Sequence, residues 1–140
     1  LLPALRVEDA PRFPYRGQLL DVCRNFFSKK TVFKLMDIMA FYKLNYLQLL
    51  LSEDEGWRIE IDGLPELTKV GGQRQHTSKH AAELHPSYGS GPVAYEKGTH
   101  GSGYYTREDF IEILQYAKER HITLIYGKLP LFTINGTPGC

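Results

Sequence analysis

Two short apolar runs, Gly17–Val22 and Tyr46–Leu51, each end in a cluster of charge and are separated by a single amphipathic segment. The second run is almost continuously hydrophobic, which argues for burial on both faces and hence for a strand in a parallel sheet. Between them Ser28 is placed to cap a helix, and Val32, Leu35, Met36 and Met39 follow at helical spacing, so the sequence predicts a helix over about Lys29–Tyr42. Two parallel strands joined by one helix form a βαβ unit, whose crossover is right-handed as a rule. Such a unit delivers both charge clusters to one end of the sheet.

The rest of the chain extends the same pattern. Trp57-Arg-Ile-Glu-Ile61 alternates and predicts a short extended piece outside the main sheet. From Asp62 to Tyr105 runs a long stretch rich in Gly, Pro, Ser and His, and loops of that length are usually functional or mobile. Thr106 then caps a second helix with Asp109 in its first turn and Phe110, Ile113, Leu114 and Ala117 as its core stripe. Ile122–Tyr126 is the third strand. Residues 1–15, with Pro3, Pro11 and Pro14, read as an extended lead-in. The order is βαβαβ. Three parallel strands do not close, and a (β/α)8 barrel takes about 250 residues. The fold class expected is α/β: a partial (β/α)8 barrel holding the first three parallel strands and two helices, with a long loop after strand two.

Composition excludes several classes of function. The 42% hydrophobic and 24% charged residues are those of a folded globular chain rather than a disordered one. A net charge of +1, with Lys and Arg scattered, gives no reason to expect nucleic acid. The longest apolar run, at Tyr46–Leu51, is too short to span a bilayer, so no membrane partner is expected. The chain opens Leu1-Leu2-Pro3, without initiator Met or basic leader, and reads as processed or partial. Cys23 and Cys140 are too far apart for a local metal knuckle, and Cys23 reads as a buried thiol. His76 and His80 have the spacing of helical metal ligands but no third ligand nearby, so neither a metal site nor a cofactor is expected.

In colinear order, Phe13–Phe27, Met39–Asn45, Asn45–Arg58, Gly63–Thr68, Gly89–Pro92, Gly103–Phe110 and Tyr116–Ile122 resemble the start of the catalytic barrel of family 20 glycoside hydrolases. These are the β-N-acetylhexosaminidases, and the likeness is greatest to the chitobiase branch. It divides the chain into a lead-in at 1–12, the barrel portion at 13–125 and a divergent tail at 126–140. It implies hydrolysis of terminal N-acetylhexosamine residues from chitin oligomers or glycoconjugates. In this family the sugar's own acetamido oxygen attacks the anomeric carbon, an exception to the two-carboxylate rule. An Asp steadies the oxazolinium that forms, and the adjacent Glu protonates the leaving oxygen, which takes a raised pKa. That Asp-Glu pair follows the fourth strand, so it is expected beyond the chain end and no catalytic residue is assigned here.

The resemblance assigns substrate binding to Arg16, Glu53 and Asp54. Arg16, in Tyr-Arg-Gly, matches an arginine that holds sugar hydroxyls, a task suited to the fork of guanidinium donors. Its plainer alternative is a surface or salt-bridged arginine. Glu53 and Asp54 match an acidic pair lining the pocket, with Glu53 standing where Asp is usual; a solvated loop face is the alternative. Asp21, beside Arg24, reads as an ion pair or cap fixing the strand-to-helix turn. Trp57 reads as packing in preference to a stacking platform. Asn135-Gly-Thr137 is a glycosylation sequon, useful only on a secretory route.

The chain also departs from the pattern. Leu50 stands where the family has a His. Gly127 and Leu129 stand where it has carboxylates, and the likeness ends at Tyr126. The expected partner is an N-acetylhexosamine-containing oligosaccharide, and the expected location is secreted or lysosomal, or the extracellular matrix. Alone, the chain is expected to be inactive. The competing readings are a non-catalytic secreted or matrix glycan-binding relative and an α/β scaffold without sugar chemistry.

Overall fold

A computed structural model describes residues 4–54, 56–76, 84–87 and 89–126. Its order is β1 (Gly17–Asp21), α1 (Lys29–Phe41), β2 (Tyr46–Leu50), β3 (Ser52–Glu53), β4 (Gly56–Trp57), α2 (Pro65–Gly71), α3 (Arg107–Glu119) and β5 (Thr123–Tyr126). The three longer strands form one parallel sheet in the order β1-β2-β5, with Gly17 opposite Tyr46 and Tyr46 opposite Thr123. This is the βαβαβ run expected from the sequence.

Local chemistry sets the helix boundaries. The Ser28 hydroxyl accepts the Thr31 amide at the start of α1, and Thr106 and Asp109 form a reciprocal capping box at the start of α3. Both helices end in the same way. Lys43 (φ 58°) and His121 (φ 54°) take the left-handed conformation. Leu44 N–H then donates to Met39 O at 2.8 Å, and Ile122 N–H to Ala117 O at 2.9 Å. This is the Schellman arrangement, here without its usual glycine. It turns the chain directly into β2 and β5.

The two helices lie on one face of the sheet and clasp each other. Phe33 stacks on Tyr116 with ring centroids 4.1 Å apart, and Arg120 spans to Asp37 at 2.7 Å. Val32, Met36 and Met39 of α1 and Phe110, Ile113 and Ala117 of α3 pack on Leu47 and Leu49 of β2.

The opposite face of the sheet is more open. Leu19 is 50% exposed, and Gln48, Leu50 and Ile125 are half-buried. The near-continuous hydrophobicity of β2 therefore reflects one sealed face and one face left partly open among the described residues. Leu114, expected in the core stripe of α3, is 37% exposed and lines a groove with Leu124 and Tyr126 of the edge strand β5. No described element lies beyond that edge to cover it.

Within the long connection the structure adds a short helix, α2, that the sequence reading leaves as loop. Pro65 opens it, Glu66 sits in its first turn and Thr68 is buried beneath it. Seven residues, two of them Pro and Gly, give too little periodicity to register. Trp57–Ile61 is extended outside the main sheet, as expected: β4 pairs antiparallel with β3, and Ile59 bridges Tyr105. His80, Asn135, Cys140, Gly127 and Leu129 lie outside the described residues.

Candidate functional site

Parallel α/β folds gather their chemistry at the carboxyl ends of the strands. At that end of β1 and β2 the structure assembles a compact ionic cluster. Asp21 closes β1, and its Oδ1 accepts the backbone N–H of Cys23 at 2.9 Å and of Arg24 at 3.1 Å. One carboxylate oxygen thus caps the strand-to-helix turn. Its other oxygen takes Arg24 Nη1 at 2.6 Å, while Arg24 Nη2 reaches across to Glu53 Oε1 at 2.5 Å. Glu53 is delivered by the β3–β4 hairpin, which springs directly from the end of β2. Asp54 sits exposed at the tip of the same hairpin.

The electrostatics follow from that geometry. Burial pushes the Asp21 carboxyl up, but the Arg24 guanidinium and the two backbone N–H donors outweigh it and hold it below the usual carboxylate range. Asp21 and Glu53 together keep Arg24 firmly protonated. The Arg24 side chain nevertheless stays 50% exposed. Two carboxylates fix the plane of this guanidinium, and its open side can meet paired hydroxyls on a ligand.

The structure does not bring Arg16 into this cluster. Arg16 precedes β1, at the amino end of the sheet, and a strand rise of about 3.3 Å per residue keeps the two ends apart. Its Nε donates to Lys43 O at 2.6 Å and its Nη1 to Phe13 O at 2.6 Å, while its backbone N–H is held by Asn45 Oδ1 at 2.9 Å. The side chain ties the lead-in to the start of β2. Sequence reading placed the sugar-binding arginine at Arg16. The structure places Arg16 apart from the cluster at the carboxyl ends and brings Arg24, read in the sequence as an ion-pair partner for Asp21, between Asp21 and Glu53.

Trp57 packs, as expected. Its indole N–H donates to Ile59 O at 2.6 Å, and Gly71 of α2 approaches so closely that an added Cβ would lie 2.7 Å from the Trp57 Cβ. Cys23 is a buried thiol near Gly56 O, and burial, reinforced by Asp21, pushes it up to about 12, so it stays protonated and inert. His76, His85, His100 and His121 are all exposed. Among the described residues no group of His, Cys, Asp and Glu is arranged to hold a metal ion.

Arg58 escapes a reading by sequence pattern. It sits between Trp57 and Ile59 in an alternating stretch, where alternation would put it in solvent. Instead it is 0% exposed. At this position the outward side is covered by the Gly101–Gly103 loop, whose carbonyls the guanidinium binds.

Three comparisons bear on this geometry. The model of the glycosyl hydrolase family 20 catalytic domain matches residues 13–127. The N,N'-diacetylchitobiase of Vibrio harveyi is 51% identical over 124 residues, covering 89% of this chain and 14% of that protein. A beta-hexosaminidase of Vibrio vulnificus is 51% identical over 119 residues, covering 85% of this chain and 14% of that protein. Among solved structures, a GH20 exo-β-N-acetylglucosaminidase from Vibrio harveyi in complex with N-acetylglucosamine superposes with a TM-score of 0.69 at 37% identity, covering 84% of this chain and 17% of that one. The chain therefore spans about one seventh of the length of these curated relatives, 14% in each case.

Proposed function

The chain belongs to glycosyl hydrolase family 20, and from that membership we propose that it forms the opening portion of a barrel that hydrolyses terminal N-acetylhexosamine residues. Residues 13–125 are assigned to the barrel, with 1–12 as lead-in and 126–140 as a divergent tail. The substrates proposed are chitin-type oligosaccharides and glycoconjugates, met in a secreted, lysosomal or matrix setting. The observation that carries the reading is the Arg24 guanidinium, clamped between Asp21 and Glu53 at the carboxyl ends of two adjacent parallel strands.

In this reading the chain binds the sugar and the rest of the barrel supplies the acid. Arg24 grips adjacent hydroxyls of the terminal sugar through donors whose orientation the two carboxylates fix in advance. Asp54, exposed at the hairpin tip beside Glu53, adds an acceptor for a further hydroxyl. The acetamido oxygen of the substrate attacks the anomeric carbon, and an Asp-Glu pair from beyond strand four steadies and protonates. In this proposal none of the described residues takes that role.

A fluorogenic assay on the full-length protein tests the proposal. It should hydrolyse an N-acetylglucosaminide at least about 10³-fold faster than the matching glucoside, because only the former carries the internal nucleophile. Equal rates on both substrates would contradict substrate assistance.

A further inference from the structure

Resting on the reading of Arg24 as a sugar-binding group, we infer that the buried Arg58 is a positioning residue that holds the β1–α1 turn, and through it Arg24, in register with the acidic hairpin.

The argument starts from where its bonds go. The Arg58 guanidinium donates to Cys23 O twice, from Nε at 3.2 Å and Nη2 at 2.8 Å. It donates also to Gly101 O at 2.9 Å and Gly103 O at 3.0 Å. Every one of these acceptors is a backbone carbonyl. Its own backbone N–H donates to Leu51 O, and its carbonyl accepts from Tyr105 N–H, each at 2.8 Å. One residue thereby joins the exit of β1, the exit of β2 and the return of the long connection.

The placement is costly enough to need a reason. A fully buried cation is expensive unless its donors are satisfied. Burial, with the neighbouring Arg74 charge, pushes Arg58 down to about 10, still protonated at neutral pH. An apolar residue could fill the volume without that cost. It could not hold three carbonyls in fixed directions. Cys23 is the residue immediately before Arg24, so a shift of the Cys23 carbonyl displaces the guanidinium directly. The loop side is built for close approach: Gly101 and Gly103 adopt φ of 91° and 142°, and a Cβ on Gly103 would lie 2.3 Å from the Phe26 ring.

Arg58→Lys keeps the charge but replaces a planar fork with a point donor that cannot reach all three carbonyls. In the full-length protein, kcat/KM for an N-acetylglucosaminide should fall by about 10- to 100-fold in this variant, the scale expected of a displaced substrate-positioning group. In an Arg24→Ala background the same change should cost less than about 2-fold, since two residues acting through one contact are not additive. Arg58→Gln, which removes the charge and keeps a planar donor, is the second variant if the lysine protein does not accumulate. Unchanged kcat/KM, or an equal loss in both backgrounds, would overturn the inference. So would failure of both variants to fold, which would make Arg58 a residue of the fold alone. If Arg24→Ala by itself leaves kcat/KM intact, it is the assignment of Arg24, and with it the proposed sugar site, that fails.

Discussion

The two ends of the same parallel sheet each carry an arginine, and they use it in opposite ways. At the amino end Arg16 spends its guanidinium on the carbonyls of Phe13 and Lys43, groups that do not titrate and belong to the adjoining chain. At the carboxyl end Arg24 is held by two carboxylates, with half its side chain open to solvent. The first arrangement ties chain segments together. The second orients a charged fork and leaves one side of it available. Under the proposed function, partner type and exposure, more than residue type, distinguish the binding arginine from the structural one.

The contrast is broken most directly by removing each arginine from the full-length protein. Arg24→Ala should lower kcat/KM by about 10²-fold, from lost charged hydrogen bonds to the sugar, with a small change in Tm. Arg16→Ala should do the reverse: a loss of about 1 kcal/mol in stability and kcat/KM within about 3-fold of the parent. Steady-state kinetics and thermal unfolding on both proteins decide it, and exchanged phenotypes would break the comparison.

Acid should loosen the carboxyl end while leaving the Arg16 bonds in place. The folded Asp21 lies below its ordinary value. Its contribution is therefore fully present above the unfolded value of about 3.9 and is lost as pH falls through the folded value. Hydrogen-exchange protection at Cys23 and Arg24, whose amides bind Asp21 Oδ1, should hold steady from about pH 7 to 5 and drop below about pH 4. Asp21→Asn should remove that step.

The smallest expected effect sharpens the account of the amino end. Lys43 and His121 occupy left-handed backbone at the ends of α1 and α3, where a side chain is strained. Lys43→Gly or His121→Gly should stabilise by about 0.5 kcal/mol, relief of strain offset by chain entropy, with kinetics unchanged. Chemical denaturation checks this, and a loss of stability would show that the Schellman geometry is not what ends these helices.

The scaffold was legible because its signals are local. Ser28 and Thr106 mark helix starts by capping chemistry, Val32, Met36 and Met39 mark a face by period, and the apolar runs mark buried strands. What escaped depends on contacts made across the fold. Leu114 obeys the helical period of α3 yet faces an uncovered edge. The alternation around Arg58 predicts an exposed side chain, and only the return of Gly101–Gly103 buries it. The candidate site was legible in part: Glu53 and Asp54 follow β2 and lie at the carboxyl end of the sheet with Arg24, whereas Arg16, named from the resemblance, precedes β1 at the other end. A sequence-level signal did exist, since Arg16 precedes the strand and Arg24 follows it.

The most direct test is a crystal structure of the full-length protein with N-acetylglucosamine bound. Two adjacent hydroxyls of the sugar within about 3 Å of the Arg24 guanidinium, with Arg16 still on its carbonyls, is the predicted result. A sugar bound at the amino end of the sheet, or one that leaves Arg24 untouched, would contradict it.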